Sequence, residues 1–347
     1  MPSRPKSHFS ALLGALGLFA LLLLCVTPVR SDDARALFRA ALEADDSVSY
    51  SGTITSVIYD RDSADATVAR IDHKAPNSWR LWYVAPAGAY GRMIVSNESL
   101  TYQYEPKQSR VYKNDWSATA PGVALSLDYG RVEENYTVEL GPKTSVAGLT
   151  ARSLSLVSKH TGSLIQRFWF DVRSKLILRR ESYHPDGSIA SKSSFDNIRI
   201  GGTLPAELFK MSVPRGMTLV AGAEYGKPTS NVADLHASSK LEFAAPATLP
   251  YGFRLENGSF TSHDGVDTVQ LVYGDGLRTF SLFEYTNASM PRFSRAKPKP
   301  LRIGELTGEY ADVDGETLAS WNTSHLVFTI VGDLGTKEIS NIGAAIK

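Results

Sequence analysis

The sequence predicts an α+β protein with two parts. A large curved antiparallel N-terminal sheet, a half-barrel, packs on helices. A smaller C-terminal α+β unit combines an antiparallel sheet with a terminal helix. Two observations predict this class. β-favouring segments separated by turn residues follow one another from about residue 50 to residue 200, as in an antiparallel meander. A second series of such segments follows a polar stretch and ends in a helical pattern.

The first residues have the pattern of an export signal. Arg4 and Lys6 precede an uninterrupted apolar run over residues 9–26, and small residues follow up to Ser31. We therefore predict a signal peptide over residues 1–31, so that the bulk of the chain is exported. An uncleaved membrane anchor is the alternative, because the run approaches the roughly 18 residues that can span a bilayer.

Cys25, inside this apolar run, is the single cysteine of the chain. Lipid attachment at Cys25 is a weaker alternative, because the preceding Leu24 is bulky for a lipoprotein cleavage site. A cysteine in an apolar segment acts as a small hydrophobic residue. Cleavage after Ser31 leaves a mature chain without thiols, which excludes a thiol nucleophile and a thiolate metal site.

The charge balance excludes one class of partner. Lys and Arg number 37 against 36 Asp and Glu, and no basic stripe or zinc-ligand spacing is present. We therefore expect no nucleic-acid partner. A hydrophobic content of 43% is ordinary for a folded globular protein.

The predicted elements of the first half begin with a helix. Residues 32–46 have apolar residues at helical spacing, and Asp32 or Asp33 can cap the first turn. A strand follows around Tyr50, in which Gly52 marks a bulge. Further strand candidates are DATVARIDHKA, SWRLWYVAP, RMIVSN, SLTYQYEP, SRVYKN, YTVELG and ARSLSLVSK. WSATAPGVALSLDYG interrupts them as either a short helix or a crossing loop.

The stretch from Leu164 to Ile200 resolves into three consecutive strands. The last two are joined by Pro185-Asp186-Gly187, a turn in which proline presets φ and glycine accepts the left-handed conformation. Both faces of the first of these strands are apolar near its middle, so we expect the second face to be covered by a helix or a ligand.

Residues 221–240 are polar, small and weakly patterned, and we interpret them as a linker. This places an N-terminal domain at residues 32–220 and a C-terminal domain at residues 241–347. Strands of the second domain are expected in FRLENGSF, DTVQLVYGDG, RTFSLFEYT, LRIGELTGEYADV, TLASWNTSH and LVFTIVGDL. SRAKPKPLRIG, with two prolines, predicts an exposed loop, and residues 337–346 predict the closing helix.

No local motif indicates catalysis. The chain has no Gly-x-Ser-x-Gly elbow, no phosphate-binding loop and no metal-like spacing of histidines. Gly274-Asp275-Gly276 is explained by a hairpin turn. Glu133 and Glu134 would project from opposite faces of an extended segment, so they form no acid/base pair. We therefore expect no enzyme activity, no cofactor and no metal.

Aromatic side chains are concentrated in the first strands, and their number exceeds what one face of a modest sheet buries. An open sheet curled around a helix would leave an apolar concavity for an acyl chain or a peptide. The predicted ligand-lining residues, chosen as large, apolar and strand-borne, are Trp82, Tyr102, Ile165 and Trp169. Core packing is the alternative for each of them.

The first half resembles the outer-membrane-lipoprotein carrier (LolA-like) superfamily, whose members are curved antiparallel sheets closed by helices around a lipid-binding concavity. The resemblance covers roughly residues 33–220. The segments that carry it are SYSGT, YVAPAGAYGRMIVSNESLTYQYEP, GLTARSLSLV, RFWFDVRSKLILRRESYHPDGS, SFDNIRI and LPAELFKMSVPRG.

The second half of the sequence resembles a more specific family than the first half does. LPYGFRL, VYGDGLRTFSLFEY and FTIVGDLGTKEISNIGAAIK resemble the C-terminal domain of the RseB/MucB family, in which both domains occur in this order. The resemblance implies a periplasmic regulator that binds the periplasmic domain of a single-pass anti-sigma factor and shields it from proteolysis. The resemblance further implies that this regulator tunes an envelope-stress sigma factor and that lipid-type ligands release it from the anti-sigma factor.

Two other functions stay open at this point. The carrier-like first domain implies a periplasmic lipid or lipoprotein carrier that binds acyl chains, and an enzyme would require a site without a local motif. YVAPAGAYGRMIV also departs from the segment of close family members, which leaves the identity of the partner open. A homo-oligomer is neither indicated nor excluded.

Overall fold

A computed structural model of the chain describes residues 31–60, 63–97, 100–114, 127–221, 229–239, 241–263, 265–286, 297–313 and 315–346. The predicted signal peptide up to residue 30, with Cys25, lies outside the described residues. So does most of the segment predicted as a short helix or crossing loop. No helix in the described ranges is long and apolar enough to cross a membrane.

The described elements form two sheets and a small number of helices. The α-helices are α1 (Ser31–Glu43), α2 (Tyr129–Asn135), α3 (Val232–Ser238) and α4 (Thr336–Ala345). The first sheet contains β1 (Tyr50–Tyr59), β2 (Ala64–Lys74), β3 (Ser78–Ala85), β4 (Met93–Asn97), β5 (Leu100–Glu105), β6 (Arg110–Asn114), β7 (Tyr136–Val146), β8 (Leu149–Ser158), β9 (Leu164–Asp171), β10 (Ile177–Tyr183), β11 (Ile189–Ile200) and β12 (Thr218–Ala221). The second contains β13 (Arg254–His263), β14 (Val266–Gly274), β15 (Thr279–Tyr285), β16 (Lys299–Ile303), β17 (Leu306–Val313), β18 (Glu316–Asn322) and β19 (Val327–Gly332).

The first sheet joins two antiparallel meanders. Among the described residues it has twelve strands in the order β12-β6-β5-β4-β3-β2-β1-β11-β10-β9-β8-β7. β1 pairs with β11, which joins the meander β1–β6 to the meander β7–β11. β12 returns beside β6 in a parallel arrangement. The predicted large antiparallel sheet is confirmed, with this short parallel edge strand as an addition.

α1 covers one face of this sheet. Ala34, Phe38 and Ala41 recur at helical spacing and are all buried. The Phe38 ring stacks on Phe168 of β9, with 5.9 Å between ring centroids. Burying a side chain of this size contributes about 1.5–3 kcal/mol, so the apolar stripe, rather than helix propensity, fixes α1 on the sheet.

The second sheet is antiparallel and has α4 against it. Its order in the described residues is β13-β14-β15-β19-β18-β17-β16. Ile339 and Ile342 of α4 are completely buried in its core. Gly343 lets the helix approach Ile303 of β16, because a Cβ there would lie 2.6 Å from Ile303 Cγ2. The predicted closing helix is therefore confirmed, one residue earlier at each end.

The structure differs from two local expectations. Lys299–Ile303 forms β16, although SRAKPKPLRIG was predicted as an exposed loop; its residues 301–303 were also part of the predicted strand LRIGELTGEYADV, which divides into β16 and β17. Pro300 is accommodated because β16 lies at the edge of its sheet, where a proline removes no ladder hydrogen bond. Glu133 and Glu134 lie in α2 rather than in an extended segment, because the Asp128 side chain caps that helix by accepting from the Arg131 amide at 3.2 Å.

Part of the predicted linker forms a helix. Its residues 232–238 form α3, whose Leu235 is buried in the core of the second sheet. The Asn231 side chain caps α3 by accepting from the Ala233 amide at 3.1 Å. The domain boundaries themselves stay a prediction.

Candidate functional site

The two sheets meet where α2 packs against the turn between β14 and β15. Gly276 in that turn has a φ of 98°, and a Cβ there would lie only 2.6 Å from Arg131 Cβ. A Cβ on Gly252 would overlap the Asn135 side chain. Glycine is required at both positions for the backbones to approach so closely.

A buried polar network crosses this contact between α2 and the turn joining β14 to β15, which we call the joint. The Tyr136 hydroxyl donates to Asp275 Oδ2 at 2.5 Å, and Asn135 Nδ2 donates to the Asp275 carbonyl at 2.8 Å. The Arg278 guanidinium binds the Asp275 carboxylate at 3.2 Å and the Glu338 carboxylate at 3.0 Å. Burial, and then the Asp275 charge, raises the pKa of Tyr136, so its hydroxyl remains a donor. Buried charges persist only when paired in this way.

Two ion pairs at the rim of the joint connect α2 to the second sheet. Arg131 NH1 lies 3.0 Å from Glu256 Oε1, and Arg254 NH2 lies 2.6 Å from Glu134 Oε2. Each of these pairs is partly exposed to solvent, so each contributes at most about 1 kcal/mol. Their geometry nevertheless fixes the second sheet relative to α2.

A cleft of about 620 Å³ lies between the two sheets. One wall is formed by the end of β1 and the turn between β10 and β11, and the other by β17, β18 and the start of α4. Its volume is within the range of ligand pockets. The lining residues are Tyr59, Asp60, His184, Pro185, Asp186, Ser188, Ile189, Tyr310, Asp312, Gly315, Glu316, Thr317, Asp333, Leu334, Gly335, Thr336 and Lys337.

The cleft is acidic and partly apolar. Its carboxylate residues are Asp60, Asp186, Asp312, Glu316 and Asp333, against His184 and Lys337. Focused negative charge in a cleft attracts cationic groups. Ile189 is 37% exposed and offers an apolar contact beside these charges. The cleft therefore fits a segment that carries both basic and apolar side chains.

A polar contact joins the walls. His184 Nδ1 lies 2.9 Å from Asp333 Oδ1. Burial raises the pKa of Asp333, and the neighbouring His184 opposes this increase. Within the described chain, no group of three His, Cys, Asp or Glu side chains could hold a metal ion.

The structure does not bring the four predicted ligand-lining residues together. Trp82 is on β3 and Trp169 on β9, five strand positions apart, which corresponds to about 24 Å at the usual strand spacing. Tyr102 is on β5, and Ile165 is 3% exposed within the first core. None of the four lines the cleft, and their binding of a ligand stays a prediction.

Both tryptophans instead contact arginines. The Arg179 guanidinium lies 4.4 Å from the centroid of Trp169. Arg70 and Arg80 lie 5.8 Å and 5.6 Å from the centroid of Trp82. Such cation–π contacts suit half-buried aromatic rings. Part of the aromatic excess in the sequence is therefore used in stacking with arginine.

Sequence reasoning missed the role of Gly274-Asp275-Gly276. The triplet does form the turn between β14 and β15, but Asp275 is also the buried centre of the joint network. A signal was available, because Arg278 lies three residues after Asp275, which suits a local ion pair. The partners on the other sheet are more than a hundred positions away, and spacing alone does not identify them.

Comparisons with known proteins agree with this arrangement of two sheets. The chain is similar to MucB in the Pseudomonas aeruginosa MucA/MucB complex, with a TM-score of 0.61 and 17% identity over 91% of this chain and 98% of that one. MucB in complex with MucA(peri) gives a TM-score of 0.58 at 17% identity with the same coverage. A crystal structure of MucB gives a TM-score of 0.51 at 16% identity, again with the same coverage. At these identities the likeness shows the fold.

The sequence comparisons identify the family. No curated protein matches the chain in a sequence search. The family model described as the MucB/RseB N-terminal domain matches residues 33–213, which is more than half of the chain. The resemblance found in the sequence is thereby confirmed, and the chain belongs to the MucB/RseB family.

Proposed function

We propose that this protein is an exported, non-enzymatic regulator that binds the periplasmic domain of a single-pass anti-sigma factor. By protecting that domain from proteolysis, it tunes an envelope-stress sigma factor. The observation that carries the proposal is the likeness of both sheets together, over 91% of the chain, to MucB in complex with MucA(peri). Membership of the MucB/RseB family supports it.

The cleft between the sheets is the proposed binding place. Both sheets contribute walls, so a bound segment contacts residues from Tyr59 to Lys337 and depends on the two-sheet arrangement. The negative charge of the cleft selects a segment with basic residues. Ile189, exposed in the wall, offers an anchor for an apolar side chain of that segment.

Occupancy of the cleft by the anti-sigma segment would protect that segment from proteolysis. A protease acts on the fraction of the segment that is free, so the cleavage rate falls as the bound fraction rises. A lipid-type ligand releases the segment if it binds better to the partner-free state of the protein. Release therefore requires only a difference in affinity between two states.

Binding is tested by titrating the protein, purified after export, with the periplasmic domain of the anti-sigma factor encoded beside its gene. Calorimetry is expected to give a Kd of about micromolar or tighter. Ile189→Glu and Glu316→Lys, both in the cleft wall, should each weaken binding by about tenfold, since one removes an apolar contact and the other reverses a charge.

The matched controls make the same types of change, apolar to glutamate and glutamate to lysine, at exposed positions away from the cleft. Leu219→Glu changes an apolar side chain that is 50% exposed on β12, and Glu207→Lys changes an exposed carboxylate. Both should bind as the wild type does. Absence of association at micromolar concentrations overturns the proposal. If native mass spectrometry then finds acyl chains bound to the protein, the carrier function replaces it.

A further inference from the structure

A second depression, of about 450 Å³, lies on the first sheet. We name it the outer depression, because it opens on the face opposite the one that carries Trp79 and α1. Its polar and aromatic lining side chains are Ser51, Thr53, Arg70, Asp72, Arg80, Trp82, Asn197 and Arg199. The depression therefore combines three arginines and one aspartate with a tryptophan, and Trp82 lies between Arg70 and Arg80.

Strand register places these side chains in two rows across the sheet. In the first row, Arg199 of β11 is opposite Ser51 of β1, Ser51 is opposite Asp72 of β2, and Asp72 is opposite Arg80 of β3. The second row runs beside it. It contains Asn197, Thr53, Arg70 and Trp82 in the same strand order. Alternation along each strand points both rows to one face.

The outer depression keeps a net positive charge, because three arginines line it against one carboxylate, Asp72. The arginine–carboxylate pairs of the described chain involve Arg92, Arg131, Arg179, Arg254 and Arg278. None of these pairs involves Arg70, Arg80 or Arg199, although Asp72 lies opposite Arg80 in the first row. Arg70 and Arg199 are exposed. Arginine forks of this kind match carboxylates.

The outer depression is separate from the acidic cleft. Thr53 lines the former and Tyr59 lines the latter, and both are on β1. Six residues of extended chain correspond to about 20 Å. The two places also have opposite charge, so one chemical group does not suit both.

We propose that the outer depression binds an extended acidic segment of a partner polypeptide, which crosses β3, β2, β1 and β11. Arg80 and Arg199 are three strand positions apart, or about 14 Å. Side chains on one face of an extended chain recur every ~6.8 Å, so carboxylates four residues apart reach both arginines. A carboxylate between them reaches Arg70.

The other occupants fit this geometry less well. A single phosphate or carboxylate group is small compared with the separation of about 14 Å between the backbones that carry Arg80 and Arg199. An anionic membrane surface would favour a protruding tryptophan, but Trp82 is half-buried between Arg70 and Arg80. Ser51 and Asn197 supply polar groups for the backbone of a crossing segment. This inference does not depend on the partner proposed for the cleft.

Fluorescence anisotropy tests the inference with a labelled peptide of about a dozen residues with glutamate at alternating positions. Its counterpart with glutamine at those positions is the ligand control. The acidic peptide should bind the protein purified after export, and binding should weaken as salt screens the charges. Replacing Arg70, Arg80 and Arg199 together with glutamine should weaken binding by at least about thirtyfold.

A variant with the same loss of charge is the protein control. Arg35, Arg173 and Arg215 are exposed elsewhere, and replacing them with glutamine should leave the peptide affinity within about twofold of wild type. Equal weakening by both triple variants would show a general charge effect and overturn the inference. Binding to phosphatidylglycerol vesicles but not to the acidic peptide would also overturn it.

Discussion

At the scale of single residues, Glu284 of β15 has the most unusual environment. Its side chain is completely buried, and its Oε2 accepts a hydrogen bond from the Ala244 amide at 3.1 Å. Its Oε1 is buried without a hydrogen-bond partner. Burial raises the pKa of Glu284 to about 7, although the Ala244 amide opposes this shift. The carboxyl is therefore neutral at mildly acidic pH.

This environment predicts a pH-dependent stability. The pKa of the unfolded glutamate is 4.5, so between this value and about 7 the folded protein holds the extra proton. The free energy of unfolding should therefore fall as pH rises through this window, by up to ~3 kcal/mol. Glu284→Gln should remove this fall. Urea unfolding of both proteins at several pH values checks this, and parallel pH curves would contradict it.

Gly276 gives a second prediction at this scale. Gly276→Ala places a Cβ 2.6 Å from Arg131 Cβ, in addition to the strain of a positive φ. Gly148→Ala carries the positive φ alone, since nothing lies within 4 Å of its Cβ. Gly276→Ala should lower the unfolding free energy by at least ~1 kcal/mol more than Gly148→Ala. Equal effects would show that the close approach at the joint is unimportant.

At the scale of elements, periodic patterns predicted most of the fold. The apolar stripe around Phe38 and the isoleucines at 339 and 342 predict α1 and α4, because burial of one face fixes each helix. Gly52 predicted a bulge in β1, but the extra residue lies on the partner strand. Thr53 pairs with Asn197 and Ile54 with Phe195, so the bulged residue is Asp196 of β11. β12 was missed because a short edge strand is defined by its neighbour rather than by its own sequence. Most of β16 lies in the predicted strand LRIGELTGEYADV, but the turn that divides β16 from β17 was missed.

α1 is the element whose packing is most directly testable. Phe38→Ala removes a ring that is 1% exposed and stacked on Phe168. The unfolding free energy should fall by about 3–5 kcal/mol, because a cavity replaces the ring. Arg35→Ala, at an exposed position of the same helix, should change it by less than ~0.5 kcal/mol. Chemical denaturation measures both, and similar values would contradict the packing described here.

The candidate site was not predictable in the same way. Trp82, Tyr102, Ile165 and Trp169 were chosen as large strand residues, but size does not indicate which face or which strand neighbours a residue has. The cleft is formed by turns and strand ends of two sheets, and its residues have no common spacing. Polar turn residues such as Asp186 and Glu316 carry no signature in the sequence. They line one cleft only because the joint holds the two sheets together.

At the scale of the whole molecule, the joint and the cleft belong together. The buried Asp275 network and the close approach at Gly276 hold the two sheets in one arrangement, and that arrangement forms the acidic cleft. Neither sheet alone provides both walls. Partner binding should therefore be lost when the joint is disrupted, even if each sheet stays folded.

Hydrogen–deuterium exchange on the complex with the periplasmic domain of the anti-sigma factor tests the central claim most directly. Binding in the cleft predicts slower exchange in residues 184–189, 315–317 and 333–337, which form its walls. Residues 218–220 on the far edge should be unchanged. Slower exchange elsewhere on the protein, with these walls unaffected, would contradict the account.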